Sequence, residues 1–222
     1  MKVRSVIIGA VVVSAICVAG CSNVVNINGT GVRGSGTLTT EVRDVSGFDQ
    51  VTLLGTGKVT IDVTGTDSLT IEAEDNIMPL LTSDIRNGTL ELGSEQNISP
   101  TRTINYTITV ASLSAVTVSG SASVTVTDVE ADTFTTDIAG SGSVEVFGTA
   151  DTLEVTISGS GSFAGEDLEA VDGSVEISGS GNVVVFVTGS LDARITGSGN
   201  IEYLGDPDVA QSITGSGSIR HG

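Results

Sequence analysis

The sequence is poor in the residues from which most catalytic and metal centres are built. It has one histidine, His221, next to the last position, and two cysteines, Cys17 and Cys21. A Ser-His-Asp arrangement and a His/Cys zinc site are therefore disfavoured by count alone. Tryptophan is absent, with two tyrosines and five phenylalanines, which removes the aromatic platform on which conventional lectins stack sugar rings. Basic residues number nine against 27 acidic ones, a net charge of −18, so nucleic acid and anionic head groups are repelled. No apolar run reaches the ~20 residues of a comfortable membrane span. The longest, from Val6 to Val18, is broken by Ser14.

That run follows Lys2 and Arg4 and ends in Val18-Ala19-Gly20-Cys21. A short basic stretch, an apolar core and small residues before a cysteine read as a bacterial lipoprotein leader. Cleavage is expected between Gly20 and Cys21, with the Cys21 thiol the acceptor of diacylglycerol. An ordinary secretory signal cut near Ala19 or Gly20, or an uncleaved anchor, are the alternatives. Cys17 leaves with the leader, so the mature chain keeps a single cysteine and no internal disulfide. Ser22 after the lipidated cysteine favours the outer membrane if the cell is Gram-negative. Attachment would come from acyl chains, since the acidic protein surface would not supply it.

The rest is built from Val, Ile, Leu, Ala and Thr, which are strand residues, punctuated by glycine and serine. From Val118 on, an apolar residue, a small polar one, Gly, Ser, a small residue, Ser or Asn, and an apolar residue recur six times. The first glycines are Gly120, Gly140, Gly159, Gly179, Gly197 and Gly215, about 18–20 residues apart. Such a period announces a solenoid. Between the glycine-serine elements apolar residues fall at every second place, as in Leu153-Glu154-Val155-Thr156-Ile157, the period of half-buried strands. Two or three short strands per repeat would let each coil return one strand spacing above the last, a parallel β-helix. The glycines are expected at tight corners that need positive φ. The serines Ser121, Ser141, Ser160, Ser180, Ser198 and Ser216 would form a ladder whose hydroxyls bond neighbouring coils.

Upstream the pattern is less regular. Residues 21–37 read as a flexible tether and 38–222 as one domain. Strands are expected at Gln50–Leu54, Lys58–Val63, Leu69–Ala73, Thr89–Leu92 and Ile104–Val110, with turns at Gly55-Thr56-Gly57, Gly65-Thr66-Asp67 and Asn87-Gly88. A helical turn is expected within Asn76–Arg86 around Pro79, and an exposed loop over Ser94–Arg102.

Asp44-Val45-Ser46-Gly47-Phe48-Asp49-Gln50-Val51, the strand-rich segment after it, and the repeated glycine-serine corners ending in Gly217-Ser218-Ile219 together resemble the bacterial head GIN domain of autotransporter-type adhesins. The resemblance covers roughly Leu38 to His221. It implies an all-β, right-handed parallel β-helix on an extracytoplasmic, often lipidated protein. One copy departs from the pattern, with Ala122 where later copies have glycine.

No catalytic residue is assigned, and no cofactor. The Gly-Ser-Gly elements open no helix and carry no P-loop lysine. No metal site is assigned either: the Asp-rich repeats of calcium-loaded β-rolls are absent, and Asp128 with Asp132, or Asp206 with Asp208, are only loose candidates. The expected function is non-catalytic: an envelope interaction or adhesin-like protein anchored by lipid, with an unidentified protein or glycan partner. A polysaccharide- or small-ligand-binding module is the alternative, and a glycan-active β-helix enzyme a third. Self-association through the terminal coil, ending in Ile219-Arg220-His221, is a further expectation.

Overall fold

The computed structural model describes residues 31–222; the leader, Gly20 and Cys21 lie outside the described residues. Among the described residues the chain is all-β apart from one short 3-10 turn, and it winds as a parallel β-solenoid. Strands expected to be short and separate are instead long ribbons that follow each coil around its bends. They span Ser123–Gly140, Ser143–Gly159, Ser162–Gly179 and Asn182–Gly197, each paired in parallel with the next. Bends appear as register irregularities, for example between Val126 and Val129 and between Glu145 and Phe147, not as breaks in pairing.

Stacking in register places like residues above like. One inward column runs Leu53, Val118, Ile138, Ile157, Ile177 and Ile195, all buried. Across the corner a second runs Val59, Val124, Val144, Phe163, Val183 and Ile201. Phe163 is the one large ring among these six. Its room comes from Gly165, where a Cβ would lie 2.5 Å from the Phe163 ring. Burying such side chains contributes about 1.5–3 kcal/mol each, which is how a chain with so few aromatics holds a core.

The repeat extends further toward the N-terminus than its sequence signature does. Gln50–Gly55 and Lys58–Val63 form a coil beneath Ala115–Gly120 and Ser123–Gly140. Thr89–Ser94 and Asn105–Val110 lie beneath that, still in parallel pairing. There the sheets are closed by antiparallel strands: Leu81–Arg86 along Thr89–Ser94, and Ser68–Glu74 followed by Leu38–Arg43 along Asn105–Val110. In the edge strand Leu38–Arg43 the usual amphipathicity is reversed. Thr39, Glu41 and Arg43 pair with buried Ala73, Ile71 and Leu69, while Leu38 and Val42 face out. Arg43 covers the end of the core, donating to the Leu81 carbonyl (2.9 Å), the Ser83 hydroxyl (3.0 Å) and Glu41 (2.9 Å). An inward-pointing charge at a sheet edge discourages further strands from pairing there.

The helical turn expected within Asn76–Arg86 is found at Met78–Leu80, and Leu81–Arg86 is a strand that completes the cap. Two other upstream expectations are corrected. The loop expected over Ser94–Arg102 contains a two-residue strand, Ile98–Ser99, paired in parallel with Val32–Arg33. Residues 31–37, expected to end the tether, are therefore bound to the fold: Val32 N–H donates to Asn97, Ser35 N–H to Asn76 and Gly36 N–H to Glu74. The apolar alternation that marks a strand is missing from these residues, because side-chain carboxylates and amides hold them in place of a ladder.

Candidate interaction surface

The corner glycines stand one above another: Gly55, Gly120, Gly140, Gly159, Gly179, Gly197 and Gly215 are successive register partners. The six expected from the sequence have φ between +125° and +138°. A Cβ on any of them would lie 2.1–2.5 Å from the carbonyl oxygen of the glycine below. Glycine is thus required both for the backbone angle and for the approach of one coil to the next. The serine after each corner glycine bonds through its backbone: Ser121 N–H donates to the Gly55 carbonyl (2.9 Å), Ser141 to Gly120 (2.9 Å) and Ser180 to Gly159 (2.8 Å). Side-chain bonding sits two residues on, where Ser143 bonds Ser123 (3.2 Å), Asn200 bonds Asn182 (3.0 Å) and Ser218 bonds Asn200 (2.7 Å). Ala122 leaves its corner intact, since its carbonyl still accepts the Ser143 N–H at 2.9 Å.

These columns make a ribbon of small uncharged groups along the solenoid. At its N-terminal end the ribbon meets a recess of about 510 Å³. Leu54, Leu81, Ile98 and Tyr106 supply its apolar walls, and Thr56, Ser94, Asn97 and Ser121 its polar ones. No charged residue lines it. Burial pushes the Tyr106 phenol up to about 12, with nearby Arg43 pulling the other way, so the ring stays neutral. Leu54 is 50% exposed, where later coils carry Ser119, Ala139, Ser158 and Ser178.

On another side of the coil four acidic residues come together. Glu130, Asp132, Asp151 and Glu169 line a second, open depression of about 540 Å³. Among the described residues no three His, Cys, Asp or Glu side chains converge as a metal ion would require. Asp128 owes its prominence to backbone geometry, a φ of +60° at a bend. Glu74 is the carboxylate set apart by its surroundings. It is 1% exposed and accepts bonds from Gly36 N–H (2.6 Å), Thr101 N–H (2.8 Å), the Thr101 hydroxyl (2.5 Å) and Arg102 N–H (3.3 Å). Burial works against its charged form, but the bonds from Thr101, Gly36 and Arg102 outweigh it and hold its pKa below the ordinary value of 4.5. It is a clamp joining the entering chain to the loop around Thr101. Nothing in its spacing marks it among 27 acidic residues.

Residues 47–207 match a family described as "Putative auto-transporter adhesin, head GIN domain". Among solved structures, one described as a putative adhesin from Bacteroides fragilis superposes with a TM-score of 0.67 at 24% identity, over 86% of this chain and 100% of its own. Another so described, from Parabacteroides merdae, has a TM-score of 0.58 at 19% identity, over 86% and 98%. A "putative lipid binding protein" from Parabacteroides distasonis has a TM-score of 0.54 at 23% identity, over 86% and 99%. At these identities the likeness is one of fold. No curated protein matches the chain.

Proposed function

The chain belongs to the head GIN domain family, and from that premise we propose that it is a lipid-anchored, extracytoplasmic interaction protein whose solenoid serves as a binding surface and not as a catalyst. One observation carries the reading: the family match spans the solenoid, so what is shared is a rigid ladder-built surface rather than a pocket with converging reactive groups. Chemistry on a glycan would call for a matched carboxylate pair or a base aimed into a groove. The described carboxylate with the most distinctive surroundings, Glu74, has its oxygens committed to backbone and hydroxyl donors.

Anchoring through Cys21, after cleavage at Gly20, supplies the membrane attachment, at the outer membrane where the cell has one. The partner on this reading is a protein or glycan of the envelope or its surroundings. Self-association through the terminal coil is a second form of partnering on this reading: Ile213 is 42% exposed there, and the coil's polar groups include Gln211 and His221, aligned with Ala193 and Tyr203.

Metabolic labelling with a fatty-acid probe tests the anchor. The wild type is expected to carry label and sediment with membranes, and Cys21→Ser to lose both. Label persisting on Cys21→Ser would sink the lipoprotein reading. Screening the labelled protein against envelope extracts and a glycan array then tests the binding role.

A further inference from the structure

The recess of about 510 Å³ exists because one corner glycine is missing. Leu92 pairs with Leu53, so Ser94 falls beside Gly55, at the place of the next glycine of the column. Ser94 lacks the positive φ of that column, and its hydroxyl donates to the Gln96 carbonyl (2.9 Å). The chain therefore departs over residues 95–104 and rejoins the stack at Asn105, opposite Lys58.

Two hydrogen-bonding groups are left over at this place. Each later corner gives a serine N–H to the glycine carbonyl of the coil below, but Thr56, at the first corner, has no such acceptor among the described residues. The second group is the Tyr106 hydroxyl. Tyr106 is 2% exposed and lines the recess, yet its hydroxyl makes no hydrogen bond among the described residues. Thr136 Oγ1 is the unpartnered buried oxygen that is also sealed from solvent; the Tyr106 oxygen is not sealed, and the recess is the cavity it borders. A phenol so deeply buried normally has a partner, and here whatever occupies the recess must supply it.

The walls restrict what that occupant can be. They hold no charge, and Arg43, whose field reaches Tyr106, is committed to Glu41 and the Leu81 carbonyl. An anion thus finds no cation there on a chain of net −18, and a cation finds no carboxylate. An acyl chain would leave the two free donors unpaired. A peptide strand needs a row of alternating backbone partners, and the corner offers a single free N–H. Polar and apolar groups interleave instead: Thr56, Asn97 and Ser121 stand among Leu54, Ile98 and Tyr106. A pyranose, with hydroxyls around its edge and C–H groups on its faces, matches that mixture, and the volume falls within the ~300–1,000 Å³ of small-molecule sites. We propose that the recess binds a neutral sugar unit of a glycan, with the Tyr106 hydroxyl and Thr56 N–H as its buried anchors. The proposal rests on the binding role given above and names the glycan arm of it.

Calorimetric titration of the full chain tests it, with neutral trisaccharides of glucose, galactose, mannose and N-acetylglucosamine as probes. At least one is expected to bind at millimolar concentration, and a trisaccharide of galacturonic acid is not. Leu54→Ser installs the residue type that the next coil carries at that place, Ser119, and should weaken binding about tenfold with the β-sheet circular dichroism unchanged. Tyr106→Phe removes a hydroxyl that the unliganded fold does not bond, so melting without sugar should be unaltered while affinity falls about tenfold. Val42→Ser, exposed and outside the recess, should change nothing. Binding of none of the four neutral probes, or binding that Leu54→Ser and Tyr106→Phe both leave unaltered, would overturn the proposal. Tighter binding of an end-blocked trivaline peptide or a monoacylglycerol, lost in Leu54→Ser, would also overturn it and give the recess to that class. Retention of an envelope component by wild type and Leu54→Ser alike, with no sugar bound, would strike the sugar site and leave the binding role standing.

Discussion

At the scale of single residues, Glu74 shows how one side chain can replace a stretch of sheet. Four donors from two separate segments converge on it, and Gly34 passes so close that an added Cβ would lie 1.9 Å from its carboxylate. Its folded pKa is lowered, so its contribution is fully present above the ordinary glutamate value of 4.5 and is lost as pH falls through the lowered folded value. We expect exchange protection of the Gly36 and Thr101 amides to fall in that acid window. Glu74→Gln should flatten the dependence and leave both amides less protected at neutral pH. Protection that varies with pH in the same way in wild type and Glu74→Gln would assign the acid response to other carboxylates.

Among elements, the corner allows two demands on glycine to be measured separately. Gly55 and Gly179 have nearly the same angle, φ +128° and +137°. Nothing lies within 4 Å of a Cβ placed on Gly55, whereas at Gly179 it would meet the Gly159 carbonyl at 2.2 Å. Gly55→Ala should therefore cost only backbone strain, about 1–3 kcal/mol. Gly179→Ala adds a clash that neither coil can relieve without breaking its ladder, and should exceed that cost by several kcal/mol or prevent folding. Equal losses in thermal or denaturant melts would mean that coil-to-coil contact at the corner is looser than its spacing implies. The corner was legible in the sequence because a ladder needs identical residues at identical places, and six copies betray the period. Gly55-Thr56-Gly57 belongs to the same column, but the long excursion before Gly120 hid its phase and it read as a turn. The recess was illegible for a related reason: it arises from Ser94 standing where a glycine would, and an absence has no motif. The Val32–Arg33 and Ile98–Ser99 pair was missed because two-residue strands carry no periodicity to detect.

For the whole molecule, the consequence of this construction is that stability is close to a sum over neighbouring coils. Each ribbon pairs with the one before and the one after, and long-range order is carried by that stacking alone. A complete coil should then be removable if the cut falls at equivalent corners. Deleting residues 160–179 joins Gly159 to Ser180 and recreates a Gly-Ser corner. Val144 then stacks on Val183 and Ile157 on Ile195, pairs of the kind already found in the columns. The coil chosen carries both Phe163 and Gly165, so this ring leaves with the gap that accommodates it. The shortened chain is expected to fold cooperatively with unchanged β-sheet circular dichroism. Its denaturant slope should fall by roughly a tenth, in proportion to the surface no longer buried. Deleting only residues 160–169 removes half a turn, places Ala170 where Ser160 had followed Gly159, and should abolish folding. If both deletions unfold the protein, the coils are not interchangeable, and the solenoid depends on a specific contact that its repeating registers do not contain.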